Sequence, residues 1–428
     1  MEKRSKTRTK KLGRKTNRTF FSDDRISLLP DEILVMILSR LKIHQSIQTS
    51  ILSRRWKTLW TFTTTIDFDC SSIPLNSNTP GRFVHCLNRA LGSHRGPTLN
   101  RLRIRLTNFA SSDVPFWIDF AIKKSVQELA LELETKSAYF GGPGFSRFDS
   151  LKALSLFYAN VTDNHVEYFC SHCPNLETLC LVELGRVENL SIRSKSLVSL
   201  ELSRCFLLRR LRISAESLVS FKYWGRDREI DIEHAPLLSE VSFCEAYCTS
   251  LVEHKFKHFT CILSQLQTLK LTMSYPWITV FPKLDGLINL NNLDLEFKVW
   301  GWDPALNLCT SVIKALPCLH KLSLHLFRSD HEDYSNHNEK DEDVEGERHH
   351  CLRVVEFLGF TGCWLDIQII QFVIENAVSL EKMTVVPSRR AWIDSDGDVM
   401  EFEEKEEARK RARLLENRLS PYTRLFVL

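Results

Sequence analysis

One apolar phrase, Leu-x-x-Leu-x-Leu, returns a dozen times along this chain. Its first copies read Leu99-Leu102-Ile104, Val126-Leu129-Leu131, Leu151-Leu154-Leu156 and Leu176-Leu179-Leu181. Leu197-Leu200-Leu202, Leu218-Phe221-Tyr223, Leu238-Val241-Phe243 and Leu266-Leu269-Leu271 follow. Leu290-Leu293-Leu295, Leu319-Leu322-Leu324, Leu352-Val355-Phe357 and Leu380-Met383-Val385 close the series. The second and third apolar residues of each copy are two apart, so on a strand they share one face. A single copy cannot bury its leucines, whereas stacked copies bury them against one another. The phrase therefore demands an α/β solenoid: a short strand, a turn and a return segment, repeated.

Measured between middle residues, the steps run from 20 to 33, with most in the twenties. That is the period of leucine-rich repeats. Parallel strands should form the concave wall of a curved array, with irregular helices and loops on the convex side. The longer steps predict inserted helices, around residues 164–170, 303–316 and 366–377. Residues 329–350 are acidic, histidine-bearing and nearly free of apolar side chains, which predicts a disordered surface loop.

Ahead of the array, residues 24–60 hold more large apolar side chains than so short a helical segment can shield. Leu29, Ile33, Leu34, Ile37, Leu38 and Leu41 follow a helical period. Pro30 suits a first helical turn, and Asp31 and Glu32 sit at its positive end. Ile47, Ile51, Leu52, Trp56, Leu59 and Trp60 form a second apolar set. Leu29-Pro30-Asp31-Glu32-Ile33-Leu34, followed at distance by Ser50-Ile51-Leu52-Ser53-Arg54-Arg55-Trp56 and Leu59-Trp60, resembles an F-box of the plant variety. The resemblance implies a three-helix unit that binds the Skp adaptor, and through it the cullin and RING subunits of a ubiquitin ligase. The adaptor-binding residues it implies are Leu28, Leu29, Pro30, Ile33, Leu34, Ile37, Leu38, Leu41, Ile51, Leu52, Trp56, Leu59 and Trp60.

The degenerate repeats resemble those of plant F-box proteins. Residues 351–390 resemble the FBD module that follows such repeats, on Leu352, Val354, Val355, Phe357, Gly359, Phe360 and Gly362, then Glu375-Asn376-Ala377, Leu380, Glu381, Lys382 and Met383. Physically this stretch reads as strand, helix, strand. The expected layout is a disordered basic tail at 1–22, an F-box at 23–66 and leucine-rich repeats at 97–328. The acidic loop at 329–350, the FBD repeats at 351–390 and a charged C-terminal helix and tail at 391–428 complete it.

The net charge of +4 on 428 residues announces no specific nucleic-acid partner. Residues 1–18 carry nine Lys/Arg and one Glu with no apolar region after them, so they are no secretory signal. No run of eighteen apolar residues predicts a membrane span. Thirteen scattered cysteines fit free thiols in a reducing compartment, and nucleus, cytoplasm or both are the expected locations.

Catalytic and metal motifs fall short. Cys170-x-x-Cys173 has no second pair at ligand spacing, and only five residues separate Cys248 from His254. Asp394, Asp396 and Asp398 begin a calcium loop whose glycine and bidentate positions hold Val399 and Lys405. Gly141-Gly142-Pro143-Gly144 reads as a turn. No metal, cofactor or catalytic residue is expected.

The outward strand positions between the leucines should meet a client protein. Lys222, Trp224, Lys270, Lys321 and His325 are the candidate client-binding residues, with Trp224 as anchor. The favoured function is the substrate-recognition subunit of a Skp–cullin–F-box ligase. Two alternatives stay open: a repeat scaffold with no ligase role, and a sensor in which a small ligand completes the client surface.

Overall fold

A computed structural model describes residues 25–70, 79–107, 113–134, 146–244, 246–251, 259–273, 281, 286–299, 303–328, 348–387, 391–393, 399–401 and 405–428. Three short helices come first: α1 (Asp31–Leu38), α2 (Ile43–Gln48) and α3 (Trp56–Leu59). The chain then alternates through β1 (Thr65–Asp69), α4 (Thr79–Ser93), β2 (Arg101–Thr107), α5 (Val114–Lys123), β3 (Glu128–Glu134), β4 (Ala153–Phe157), α6 (Asp163–His172) and β5 (Thr178–Val182). Six strands run without a helix: β6 (Asn189–Ser194), β7 (Ser199–Ser203), β8 (Arg210–Ala215), β9 (Ser220–Trp224), β10 (Glu229–His234) and β11 (Glu240–Cys244). Next come α7 (Ala246–Ser250), α8 (Thr260–Leu263), β12 (Thr268–Met273), β13 (Asn292–Val299), α9 (Asp303–Ala315) and β14 (Lys321–Arg328). The C-terminal part holds β15 (Val354–Phe360), α10 (Trp364–Asn376), β16 (Lys382–Pro387), β17 (Ala391–Ile393), β18 (Val399–Glu401), α11 (Lys405–Leu414) and β19 (Arg424–Val427).

Among the described residues, fourteen strands form one parallel sheet in the order β1-β2-β3-β4-β5-β7-β9-β11-β12-β13-β14-β15-β16-β19. Every middle and final leucine-type residue of the phrase is buried behind this wall. The register aligns copies position by position, so Leu154 faces Leu179, which faces Leu200, which faces Phe221. One carbonyl per repeat accepts the two N–H groups that open the next strand. Asn100 O takes Gln127 and Glu128, Gln127 O takes Lys152 and Ala153, and Lys152 O takes Glu177 and Thr178. The same step recurs to Glu381 O, which accepts from Arg424. It also reaches back to Thr64 O, which accepts from Asn100 and Arg101.

Step length decides what crosses behind the wall. Leu179, Leu200, Phe221 and Val241 follow one another at 21, 21 and 20 residues. An extended chain advances about 3.3 Å per residue against about 1.5 Å in a helix, so short steps return as strands. β6, β8 and β10 thus form a second parallel sheet in the order β10-β8-β6, where irregular helices and loops were expected. The longer steps admit α5, α6, α9 and α10, and the last three fall at the helical stretches expected from the sequence.

The wall is longer at both ends than the phrase predicts. β1 pairs with β2 directly after the F-box-like helices, and β19 pairs with β16, so the C-terminal segment ends in a wall strand after its charged helix. β15, α10 and β16 give the strand, helix, strand expected of residues 351–390. Here Gly359 adopts φ +82°, and a Cβ on it would lie 2.3 Å from Leu326 O. The buried Asp366 carboxylate accepts from Thr361 N (2.8 Å), Thr361 Oγ1 (3.0 Å) and Gly362 N (3.0 Å), holding the entry to α10. The basic tail, most of the acidic loop, the glycine turn, the calcium-like aspartates and His254 lie outside the described residues.

Candidate functional site

The helical unit splits its apolar residues between two faces. Leu34 and Leu38, one turn apart on α1, are buried with Trp56 and Leu59 of α3, and Leu29, Val35 and Trp60 pack against them. Ile33, Met36 and Ile37 occupy the neighbouring stripe of α1 and stay exposed. Leu28 is 84% exposed, Ile51 88% and Leu52 64%, and Ile26, Leu41, Ile47 and Phe62 are also open. Of the implied adaptor-binding residues, then, Leu34, Leu38, Trp56 and Leu59 build the unit's own core. Leu28, Pro30, Ile33, Ile37, Leu41, Ile51 and Leu52 are on its surface, and Leu29 and Trp60 are between.

Arg55 holds the entry segment that carries Leu28. Its guanidinium donates to Ser27 O (2.7 Å), Leu29 O (2.6 Å) and Asp31 Oδ1 (2.6 Å). Nothing periodic in the sequence signals this clamp, because it spans more than twenty residues between two helices. Met36, Ile26, Ile47 and Phe62 were also missed as surface residues.

The unit is fused to the wall. Ile43 belongs to the main core. Ser46 Oγ donates to Leu38 O, Ser39 Oγ accepts from Thr64 N at 2.9 Å, and Lys42 pairs with Asp69 of β1 at 2.9 Å. His94, buried after α4, approaches Thr63 O with Nε2 at 2.9 Å, and Thr61 O accepts from Arg95 and Gly96. Lys124 Nζ closes the joint by donating to Gly96 O at 2.7 Å. Burial lowers the His94 pKa, partly opposed by the Thr63 hydrogen bond.

On the wall, neighbouring strands neutralise one another. Lys222 meets Glu201 at 3.0 Å, Lys270 meets Glu240 at 2.9 Å, Lys321 meets Glu356 at 2.8 Å, and His325 approaches Asp294 at 3.5 Å. The basic residues picked as client contacts are therefore cross-strand partners, each serving the sheet. The Glu240 hydrogen bond raises the Lys270 pKa against desolvation. Burial pushes Glu356 up, but the hydrogen bonds from Lys321 and Ser323 outweigh it and hold the carboxyl low. Trp224 is outward and half-buried, with Arg204 stacked over its ring at 5.7 Å. Its Nε1 is buried without a hydrogen-bond partner.

At the strand ends beside Trp224, Tyr158, Glu183 and Arg204 take left-handed φ values of 55°, 53° and 56°. Each continues the ladder by donating to Val182 O, Ser203 O and Trp224 O respectively. Glycine would adopt this geometry freely, whereas a side chain there costs on the order of 1 kcal/mol or more.

The description At1g61320/AtMIF1, LRR domain, matches residues 141–407, and the F-box domain matches residues 26–62. This chain belongs to the F-box/LRR-repeat family. F-box/LRR-repeat protein At3g03360 of Arabidopsis thaliana is 26% identical over 71% of this chain and 70% of its own length. F-box/FBD/LRR-repeat protein At5g53840, also of Arabidopsis thaliana, is 24% identical over 85% and 88%. Putative FBD-associated F-box protein At1g61330 of the same plant is 24% identical over 86% and 92%. F-box/LRR proteins are in general non-catalytic adaptors for protein interaction, and the F-box in general binds a Skp-type adaptor.

Cys170 and Cys173 of this F-box protein are buried packing groups. Burial pushes the Cys170 and Cys173 thiols up to about 12, so neither presents a thiolate at neutral pH. Among the described residues no group of three or more His, Cys, Asp or Glu is placed to hold a metal ion, and no helix is long and apolar enough to cross a membrane.

Proposed function

We propose that this chain is the substrate-recognition subunit of a Skp–cullin–F-box ubiquitin ligase. Its F-box engages the adaptor, and its strand wall holds a client. One observation supports this above the others: large apolar side chains at Leu28, Ile51 and Leu52 project from a unit whose small core is already complete. Burying such a side chain stabilises a contact by about 1.5–3 kcal/mol, so leaving several in water calls for a partner surface. Helix-in-groove docking fits that need.

The work asked of such a subunit is positional. A client held at a fixed place relative to the ligase presents its lysine at high effective concentration. The carbonyl ladder from Thr64 into the wall, with the His94 and Lys42 contacts, supports a stiff connection between the two ends. The proposal extends to action in nucleus, cytoplasm or both, with the basic run in residues 1–18 as the support for nuclear import.

The test is reconstitution with a recombinant Skp adaptor and its cullin–RING partners. The expected result is co-purification of a stable complex and ubiquitin transfer dependent on this chain. A chain that stays monomeric in the mixture, with Leu28 and Ile51 intact, would reduce it to an interaction scaffold.

A further inference from the structure

The wall's outward face changes character along its length. Around the joint it is charged, through Asp67, Arg103, Arg105 and Glu132. On β4 and β5 the outward positions are Ala153, Ser155, Phe157, Thr178, Cys180 and Val182, none of which is charged. In register with Phe157 and Val182 come Ser203 of β7 and Trp224 of β9. The charges bordering this stretch are spent on each other: Glu201 on Lys222 at 3.0 Å, and Glu183 on Arg204 at 2.9 Å. A charged side chain laid here would lose hydration and find its natural counter-charges engaged.

Two further features mark the place. The Trp224 indole N–H, a donor with a strong need for an acceptor once buried, has none. Tyr158, Glu183 and Arg204 line the adjoining strand ends in left-handed backbone, and Arg204 lies over the Trp224 ring. The indole is thus parked under a guanidinium with its donor unspent.

We propose that the outward faces of β4 and β5, with the strand ends at Ser203 and Trp224, dock an uncharged, apolar polypeptide segment of the client, one carbonyl of which accepts the Trp224 indole N–H once the ring turns outward. Phe157 and Val182 supply the apolar floor, and the Glu183–Arg204 pair forms the rim. This assignment rests on the receptor reading above, since it names the chemistry of what the wall receives. It also gives Lys222 another part than client affinity: neutralising Glu201 beside the floor.

The experiment uses the full chain and a random-sequence peptide display library, with enriched peptides resynthesised and titrated by fluorescence anisotropy. Enriched sequences should be uncharged and apolar. Val182→Asp should weaken their binding at least tenfold. Trp224→Phe, which keeps an aromatic ring and removes the donor, should weaken it about threefold to tenfold, the worth of one neutral hydrogen bond. The Trp224 indole proton, assigned by its loss in Trp224→Phe, should shift on peptide addition. Enrichment of charged sequences, no enrichment, or binding indifferent to both variants overturns the proposal. Adaptor binding measured on the same samples separates the two readings. If wild-type chain binds peptide but no adaptor, the ligase reading falls and the docking surface stands; the reverse pattern sinks the docking surface alone.

Discussion

Removing the Arg55 guanidinium tests whether the F-box presents its exposed residues on a prepared scaffold. Arg55 donates three hydrogen bonds, two to the carbonyls of Ser27 and Leu29 and one to Asp31. Bonds from a charged donor contribute about 1.5–3 kcal/mol each when buried. The side chain is 38% exposed, so solvent screening reduces that, and about 2 kcal/mol in total is the reasonable figure for Arg55→Ala. The loss falls on the entry segment that carries Leu28, not on the Leu34–Leu38–Trp56–Leu59 core. Re-ordering even one frayed residue on docking costs about 1–2 kcal/mol, or roughly five- to thirtyfold in Kd. Hydrogen exchange at the Leu29 amide, which donates to Ile26 O at 3.1 Å, should accelerate in the variant while wall amides stay protected. Calorimetric titration with the adaptor should show the weakened Kd. Unchanged exchange at Leu29 together with unchanged affinity would refute the clamp.

Leu34→Ala, a fully buried truncation, should lower F-box stability by about 2–5 kcal/mol in denaturant unfolding, whereas Leu28→Asp should leave the unfolding curve in place. Equal effects of the two on stability would contradict the division into core and surface. His94 has a lowered pKa, so the unfolded chain takes up its proton first as pH falls. The stability it lends is complete above its ordinary value of 6.5 and declines as pH drops from there toward the depressed folded value; His94→Gln should flatten that slope in urea titrations across the window. Gly359→Ala places a Cβ against the Leu326 carbonyl at positive φ, so it should destabilise the C-terminal repeats by about 1–3 kcal/mol or more, visible as accelerated proteolysis of that region. Wild-type resistance in this variant would mean the backbone at Gly359 relaxes freely.

Most of the wall was legible because its signal is periodic. Aligning the phrase copies even predicts cross-strand neighbours: Glu201 and Lys222 hold the same place between their paired apolar residues, and they meet. The two end strands broke the phrase at its leading position. Thr63 fills the place of the first leucine before β1, buried and donating its hydroxyl to Trp60 O, while Tyr422 stands there before β19 and is exposed. The return strands were written in Leu190-x-Ile192, Leu211-x-Ile213 and Ile230-x-Ile232, but each is so short, with Ser191, Arg212 and Asp231 in between, that it reads as loop. In the F-box, helical period identified apolar residues without telling Leu34 from Ile33, since both lie on one short helix and only packing against Trp56 separates them. The Arg55 clamp and the unpartnered Trp224 donor depend on single side-chain directions, which no spacing encodes.

The central claim is that an apolar helical face, open in this chain, is completed by the surface of another protein. Titrating purified Skp adaptor into the full chain at several temperatures tests it directly, because apolar burial leaves a negative heat-capacity change. The account predicts a one-to-one complex with that signature, abolished by Leu28→Asp with Ile51→Asp while the folded state is unchanged. Binding that survives the double substitution, or a heat-capacity change near zero, would contradict it.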